Sequence, residues 1–572
     1  MASTRREFLR LAGAGAGALL LSKHVAGEED DDEPVEPLFE DVTEAMGLKG
    51  IHAERVAFVD VNGDGWPDIV VNQTEIYLNQ HGKGFVRMEG DRVLASPRRP
   101  SVVQWGDLNN DGRMDLFLGR NTNPASPDFK DDGLRSEIWL ADGKGSFVKK
   151  KHSGLEEFAE STVAAIFLDY DSDGNLDLVI GNEFKDPNTG TAYPSRLLRG
   201  RGDGTFEDVT EKAGMLLVES VGNANSRRPT YGLAHTDWNN SGRQSIMFLT
   251  YGRQANRLWR NNGDGTFTDV AVETAFDGDD IRNGKVLPGL PQVPPWMVHG
   301  NNFDCAVADF NCDGYMDCFL GEICHWWAGP SCDKSMLLVN RGPKHKYKFL
   351  RDPGRIFRRH DDPQWNEGDI SVGWLDVDND GWPDLVIGAS NYPDQFLLLY
   401  HQEAGGRFTE WTDRLGFRYV NAGGISFADF DRDGATDILV GTNNVNLSAE
   451  QASKHDLSIR LYRNLTPAKL GNHFLNIRLS GQAIGARATV WTGDHRQTQE
   501  VYGGHGHAGH RDDSDLRFGL GKARGANKVE IRWPDADNTT QVFKKVRGDR
   551  FYQLAKGEEL EPVALGTQGS AK

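Results

Sequence analysis

Positive charge is scarce in this chain: 64 Lys and Arg stand against 84 Asp and Glu, a formal net charge of −20 over 572 residues. No basic stripe tracks along it, which argues against nucleic acid as a partner. Cysteine is scarcer, five in all, and every one (Cys305, Cys312, Cys318, Cys324 and Cys332) falls in one short stretch. The stretch contains no Cys-x-x-Cys pair, so a thiolate metal cluster is the less favoured reading. In an oxidising compartment Cys324 and Cys332 are placed to staple a short loop, with one cysteine left over. Long apolar runs are missing as well. Leu11 to Leu21 is too short to be a secure membrane span, and no cysteine near its end offers a lipid anchor. Nucleophile elbow, phosphate loop and recognised triad are all absent.

What the chain has in abundance is one nine-residue pattern, Asp-x-Asn/Asp-x-Asp-Gly-x-x-Asp, written six times with first aspartates Asp60, Asp107, Asp169, Asp309, Asp376 and Asp429. Oxygen side chains at positions 1, 3 and 5, a turn-making glycine at 6 and a carboxylate at 9 suit a hard cation, and calcium is its natural occupant. The candidate ligands, with the position 7 carbonyl included, are these. The first loop offers Asp60, Asn62, Asp64, Trp66 and Asp68; the second Asp107, Asn109, Asp111, Arg113 and Asp115; the third Asp169, Asp171, Asp173, Asn175 and Asp177. The remaining loops offer Asp309, Asn311, Asp313, Tyr315 and Asp317; Asp376, Asp378, Asp380, Trp382 and Asp384; and Asp429, Asp431, Asp433, Ala435 and Asp437. A quarter of the acidic side chains lie in these loops, and up to six Ca²⁺ would bring −20 to about −8. The pattern is not an EF-hand, because position 12 is apolar (Val71, Leu118, Ile180, Leu320, Ile387, Val440) where that motif needs a bidentate Glu. Those positions fall in short β-branched runs, so each loop reads as the tip of a β-hairpin.

A seventh, worn copy, Asp237-Trp-Asn239-Asn-Ser241-Gly242-Arg-Gln-Ser245, has Ser at positions 5 and 9 and is expected to keep the hairpin and lose the ion. Seven units, 47 to 72 residues apart, suit seven four-stranded blades. Downstream of most loops, segments such as Leu78 to Phe85, Leu140 to Phe147, Arg199 to Phe206 and Arg260 to Phe267 read as third and fourth strands joined by Gly-rich hairpins. The last unit runs out after Asn464 without a fourth strand. Phe39-Glu-Asp-Val-Thr, ahead of the first loop, repeats the fourth-strand sequence Phe206-Glu-Asp-Val-Thr, so the N-terminal strand is expected to close the last blade. The expected fold is all-β: a seven-bladed β-propeller followed by a small C-terminal β-sandwich-like domain. The boundaries are a twin-arginine signal segment at 1–27 (Arg5-Arg6 before the apolar stretch), an acidic leader at 28–37, the propeller at 38–466 with strand 38–43 closing it, the C-terminal domain at 470–560 and a tail at 561–572.

On these residues the repeats resemble the FG-GAP/VCBS repeats of integrin-α-type propellers. The segment carrying Ala483-Ile-Gly-Ala486, Gly503-Gly504, Phe518-Gly-Leu-Gly521 and Val529 to Pro534 resembles an ASPIC/UnbV domain. Together they are similar to the cartilage acidic protein family in a bacterial, exported form. That resemblance implies calcium binding and no established reaction. The chain departs from the family in the worn loop, the cysteine cluster and the His-rich run Gly504 to His510.

If the calcium loops form one rim, the strand 2–3 loops and strand 4–1 linkers emerge at the other. That rim collects Arg55, Arg99, Arg120, Glu183, Arg228, Asn302, Trp326, Trp327 and Asp369 as candidate ligand-binding residues and His299, Glu322 and His325 as candidate acid/base groups. Arginines, acids and paired tryptophans suit an anionic or sugar-like ligand. His505, His507 and His510 offer a Zn or Cu site as the sharper reading, since 505 and 507 share a face if extended, and a flexible Gly/His loop as the ordinary one. The leading function is an exported calcium-binding module for adhesion to a surface glycan or protein, periplasmic, cell-surface or secreted, with no integral membrane span after processing. The rival is a carbohydrate-active lyase, isomerase or hydrolase on the rim opposite the ions.

Overall fold

The computed structural model describes residues 38–89, 100–121, 133–143, 146–282, 288–289, 293–294, 296–352, 366–390, 392, 395–404, 406–416, 418–443 and 447–563. The signal segment, the acidic leader, Arg99 and the far tail lie outside them. The protein is built almost wholly of antiparallel strands. From Phe39 to Asn464 the strand pairings make a four-stranded meander seven times over, each with its inner strand first: Val56–Val59, Val102–Gly106, Thr162–Leu168, Thr230–Thr236, Asn302–Ala308, Glu367–Leu375 and Ala422–Ala428. These inner strands are buried throughout except at a few positions next to the loops. Apolar residues on both faces sandwich each sheet between its neighbours; Ala57, Val59 and Val70 of the first unit pack on Val103, Trp105 and Leu116 of the second. The architecture is that of a propeller. The fifth and sixth units are also joined edge to edge through Ile323 opposite Gly368.

Each acidic loop links the first strand of its unit to the second, as in Val56–Val59 and Asp68–Val71. The predicted third and fourth strands are present, for example Arg196–Gly200 and Phe206–Asp208. Closure also takes the expected form. Phe39–Asp41 pairs with Arg460–Asn464, Phe39 opposite Asn464 and Asp41 opposite Tyr462, the register in which Phe206 faces Gly200 and Asp208 faces Leu198. The last sheet is therefore completed by the first strand of the propeller, and its edge is not left open.

A second device holds neighbouring units together. At the end of the third strand, five units place an amide side chain that donates to two carbonyls, one in its own unit and one in the unit before. Asn79 reaches Pro67 and Phe430, Asn261 reaches Gln244 and Tyr170, and Asn340 reaches Met316 and Trp238. Gln402 reaches Pro383 and Phe310, and Asn464 reaches Thr436 and Val377. The carbonyls are buried, that of Pro383 partly, so the amide satisfies groups that water reaches poorly or not at all. Ala141 and Gly200 stand at this place in the other two units and make no such bonds.

Residues 473–562 form two four-stranded sheets. One contains His473–Leu479, Leu516–Gly521, Arg550–Leu554 and Glu561–Pro562; the other contains Arg487–Thr492, His495–Glu500, Gly525–Arg532 and Thr540–Arg547. Leu475, Ile477 and Phe518 of the first meet Ala488, Val490, Val529 and Ile531 of the second in one apolar layer, a sandwich. This domain sits on the rim formed by the acidic loops. Its contacts there include Arg478 on Asp60, Gln482 on the Asp107 carbonyl, Arg532 on Asp237, His495 on the Gly381 carbonyl and Asn476 on Asp429.

From this sandwich the segment Gly503 to Asp513 enters the propeller channel. Gly503 accepts from Phe167 N–H, Gly506 exchanges two bonds with Leu233, and Ala508 N–H donates to Val163. Ser426 donates to the Arg511 carbonyl, and Arg511 donates to the carbonyl of Trp105. Its glycines are set by close approach: a Cβ on Gly503 would lie 1.8 Å from the Phe167 carbonyl oxygen, and one on Gly509 would lie 2.1 Å from that of Val103. The flexible Gly/His loop expected from sequence is thus a buried plug bonded to the inner strands. It is not extended, so His505 and His507 do not share a face as they would in a strand.

Candidate functional site

The seven loops share one backbone. Position 4 is left-handed in all of them (Gly63, Asn110, Ser172, Asn240, Cys312, Asn379, Arg432), as is the glycine at position 6. That turn aims the position 6 N–H at the position 1 carboxylate, at 2.8–2.9 Å in every loop from Asp60 to Asp429. The position 7 N–H points at the side chain of position 5, as Trp66 does to Asp64 and Ala435 to Asp433, which leaves the position 7 carbonyl out of the loop's own bonding pattern. The position 9 carboxylate has a further role that motif spacing does not reveal. Asp68 accepts from Val61 and Asn79, Asp177 from Tyr170 and Gly200, and Asp437 from Phe430 and Asn464, so it ties the loop to the third strand.

The position 9 carboxylates of the six loops are fully buried, whereas Asp64, Asp111, Asp173 and Asp313 at position 5 are exposed. Oxygens of Asp169, Asp171 and Asp177, of Asp376, Asp378 and Asp380, and of Asp429, Asp431 and Asp437 gather within 4.8 Å. The loops at Asp60, Asp107 and Asp309 place Asn62, Asn109 and Asn311 at position 3, and so hold one carboxylate fewer. Burial, reinforced by neighbouring carboxylates, raises Asp68, Asp169, Asp309 and Asp380 to about 7, and Asp177, Asp317, Asp376, Asp429 and Asp437 well above the usual range. Asp60 Oδ1, Asp171 Oδ1, Asp317 Oδ2 and Asp431 Oδ1 are buried without a hydrogen-bond partner. Orphaned oxygens in such a cluster fit a hard cation.

The worn loop resolves the same need differently. Asp237 is fully buried, and Arg532 of the C-terminal domain lies on its carboxylate at 2.5 Å. Arg487 donates to the Asp237 carbonyl at 2.7 Å and to the Asn240 side chain, while pairing with Glu500 at 2.6 Å. Ser245 Oγ takes over the position 9 bond to the third strand, accepting from Asn261 N–H.

At the opposite rim the structure gathers the acid/base candidates in one corner. A Cβ on Gly300 would touch Glu322, and one on Gly278 would touch His299 and Asp333. Glu322 accepts from Asn301 N–H at 2.6 Å, and burial together with Asp333 raises it well above the usual range. His299 meets Arg282 at 2.5 Å and is lowered to about 3 by burial and four nearby arginines. His325 bonds Tyr392 at 2.5 Å, stacks on Trp327 and is lowered to about 4 by burial and Arg253. All three are committed to internal partners. So are most of the ligand candidates: Arg120 is buried on Glu137, Glu183 accepts from Asn121 and Tyr231, Arg228 donates to the Ala255 carbonyl, Asn302 accepts from Asn256, and Arg55 pairs with Glu54. Trp326 N–H donates to Asn366, and Asp369 is buried in its strand. Arg253, absent from the sequence-derived set, packs over Trp327 and donates to Ser331. The cavity that Arg55 lines in the channel, beside His510, holds only about 30 Å³, room for about one water.

All five cysteines are free thiols, so the Cys324–Cys332 staple is not formed; the two lie side by side in a small buried cluster with Ala328. The three histidines separate. His507 bonds the Tyr231 carbonyl and stacks on that ring, whereas His505 and His510 both turn to Asp304. Asp304 was missed from sequence although a signal was present. Five residues before the first aspartate of their loops, five other units carry Val102, Ala164, Gly232, Ser371 and Gly424, and an aspartate is out of place among them.

Comparison with known proteins agrees with this anatomy. Residues 478–561 match the family model for ASPIC and UnbV, and residues 60–118 and 376–440 match the FG-GAP-like repeat. A propeller fold thus carries segments that match FG-GAP-like repeats, followed by one that matches ASPIC and UnbV. The chain is similar to cartilage acidic protein 1 of Homo sapiens, 25% identical over 468 residues, covering 75% of this chain and 59% of the relative. It therefore spans about three fifths of that relative's length. A shorter match, 34% identical over 95 residues (14% of this chain, 9% of the relative), is to integrin alpha-6 of Gallus gallus. Among solved structures, one described as recognition of non-reducing terminal N-acetylglucosamine by an Agrocybe aegerita lectin matches at TM-score 0.39 and 15% identity, over 68% of this chain and 88% of that one. At that score the likeness carries no argument. No helix among the described residues is long and apolar enough to cross a membrane.

Proposed function

We propose that the protein is an exported, seven-bladed propeller loaded with calcium at six loops, which binds a glycan or protein partner on the rim away from those loops. One observation carries the choice of face. The C-terminal domain covers the calcium-loop rim and its Gly503 to Asp513 segment fills the channel. The opposite rim is the end that this domain leaves uncovered. Calcium is then structural: positions 1, 3, 5 and 9, with the position 7 carbonyl, hold an ion that neutralises buried carboxylates and fixes the surface on which the second domain rests. The adhesion reading draws on the FG-GAP repeats and the integrin-like match.

The test is a glycan and matrix-protein binding screen on the full chain in calcium. Specific binding that Trp326→Ala or Arg55→Ala weakens at least tenfold, and Gln482→Ala on the covered rim leaves intact, is expected. Binding lost through Gln482→Ala alone, or no binding to any glycan or matrix protein, would overturn the reading.

A further inference from the structure

Inside the channel four ionisable side chains from distant parts of the chain meet. His505 Nδ1 lies 2.7 Å from Asp304 Oδ1 and His510 Nδ1 lies 3.1 Å from Asp304 Oδ2; both are hydrogen-bond distances. One carboxylate therefore takes an N–H from each ring, which fixes both tautomers and leaves both Nε2 atoms as lone-pair donors. Both Nε2 atoms face Asp512, His505 at 4.0 Å from Oδ2 and His510 at 3.8 Å from Oδ1. The rings are 4.2 Å apart between centroids. Asp512 is itself held, because Oδ1 accepts from Phe427 N–H at 2.8 Å.

Three features distinguish this group from an ordinary ion-pair network. His510 Nε2 is buried without a hydrogen-bond partner, on a side chain only 6% exposed. The spacings of 3.8 and 4.0 Å are too long for hydrogen bonds. Each imidazole faces its own Asp512 oxygen, at distances about 0.4–0.6 Å beyond the edge of about 3.4 Å between ligands bound to zinc at ~2.0–2.1 Å. Finally, a carboxylate behind each imidazole is the usual support of a metal-ligating histidine. The charges also close: two carboxylates and two neutral imidazoles are balanced by one divalent cation.

We propose that His505, His510 and Asp512 bind one divalent transition-metal ion of the zinc class in the propeller channel, with Asp304 as the positioning residue for both imidazoles. Imidazole nitrogen donors separate this site from the all-oxygen calcium loops. Because Asp304 belongs to the propeller and the other three to the C-terminal domain, the ion is a lock between them.

The full chain, folded with Zn²⁺ present and dialysed into zinc-free calcium buffer, is expected to retain one zinc per chain. In a parallel sample Co²⁺ should give the intense visible bands of a low-coordinate nitrogen and oxygen site. His505→Gln and His510→Gln should lose both signals, while His507→Gln, whose ring lies outside the group, should keep them. Zinc retained equally by the His510→Gln variant, or no zinc in the folded unaltered chain, would overturn the proposal, and the latter result does not depend on any variant folding. Calcium counted in the same samples reports on the six loops separately, so the two readings fail independently.

Discussion

The fourth loop and the other six have the same backbone and reach the same end by different means. Among the six, carboxylates converge in the loops at Asp169, Asp376 and Asp429, and the loops at Asp60, Asp169, Asp309 and Asp429 leave buried oxygens without partners, an arrangement that suits a mobile cation. In the fourth, Ser241 and Ser245 remove two of those carboxylates, and the positive charge on Asp237 is covalently attached to the second domain as Arg532. The loop conformation is therefore not a consequence of the ion, because it persists where the ion is not expected. What an ion would supply is charge. The same difference shows how the domains are joined: Arg532 and Arg487 anchor the fourth loop and Arg478 reaches Asp60 of the first, and calcium would order the rest of the rim under the sandwich.

The contrast can be broken most forcefully by removing calcium. Each site saturated at a hundred times its dissociation constant contributes about 2.7 kcal/mol, so EGTA should lower the melting temperature by many degrees, and thermal denaturation with and without the chelator checks this. Acid gives the contrast a sign. In the ion-free protein Asp68, Asp169, Asp309 and Asp380 sit near 7, above their unfolded value, because burial penalises the charged form. The folded state then binds protons more tightly than the unfolded one, and stability should rise as pH falls from 8 towards 5. The calcium-loaded protein should do the reverse, since protons displace the ion, and paired melts across that window check both slopes.

A smaller effect isolates the fourth loop. Arg532→Ala leaves buried Asp237 without its ion pair and should cost about 3 kcal/mol, the low end for a broken buried pair because Arg532 is 22% exposed. The loss should be the same at any calcium concentration, as chemical denaturation in calcium and in EGTA would show. The mildest change concerns the units rather than the loops. Asn464→Ala removes three bonds and leaves the Val377 and Thr436 carbonyls and the Thr466 N–H unsatisfied, about 1–3 kcal/mol. It acts where the closing sheet meets its neighbour, and the midpoint of urea unfolding measures it.

Much of the propeller was legible because its information is local and repeated. Asp60 to Asp68 states the turn, the glycine and the strand that follows, and Phe39-Glu-Asp betrays its place by copying Phe206-Glu-Asp. The C-terminal strands were legible through alternation. The plug was not: Gly503 to His510 has no periodicity, and its partners, Phe167, Leu233 and Val163, are inner-strand backbone groups hundreds of residues away. The same distance hid Asp304 from its histidines and Arg532 from Asp237. On the opposite rim the residue types were visible in sequence. Their commitment to one another, as in Tyr231 with Glu183 or Arg282 with His299, depends on packing that spacing does not encode.

Calcium stoichiometry on the full chain, by titration calorimetry with elemental analysis of the saturated protein, addresses the central claim most directly. The account predicts six calcium ions per chain, with the count unchanged by Arg532→Ala and reduced by one in Asp429→Ala. A count of seven, or a chain that binds no calcium and melts at the same temperature in EGTA, would contradict it.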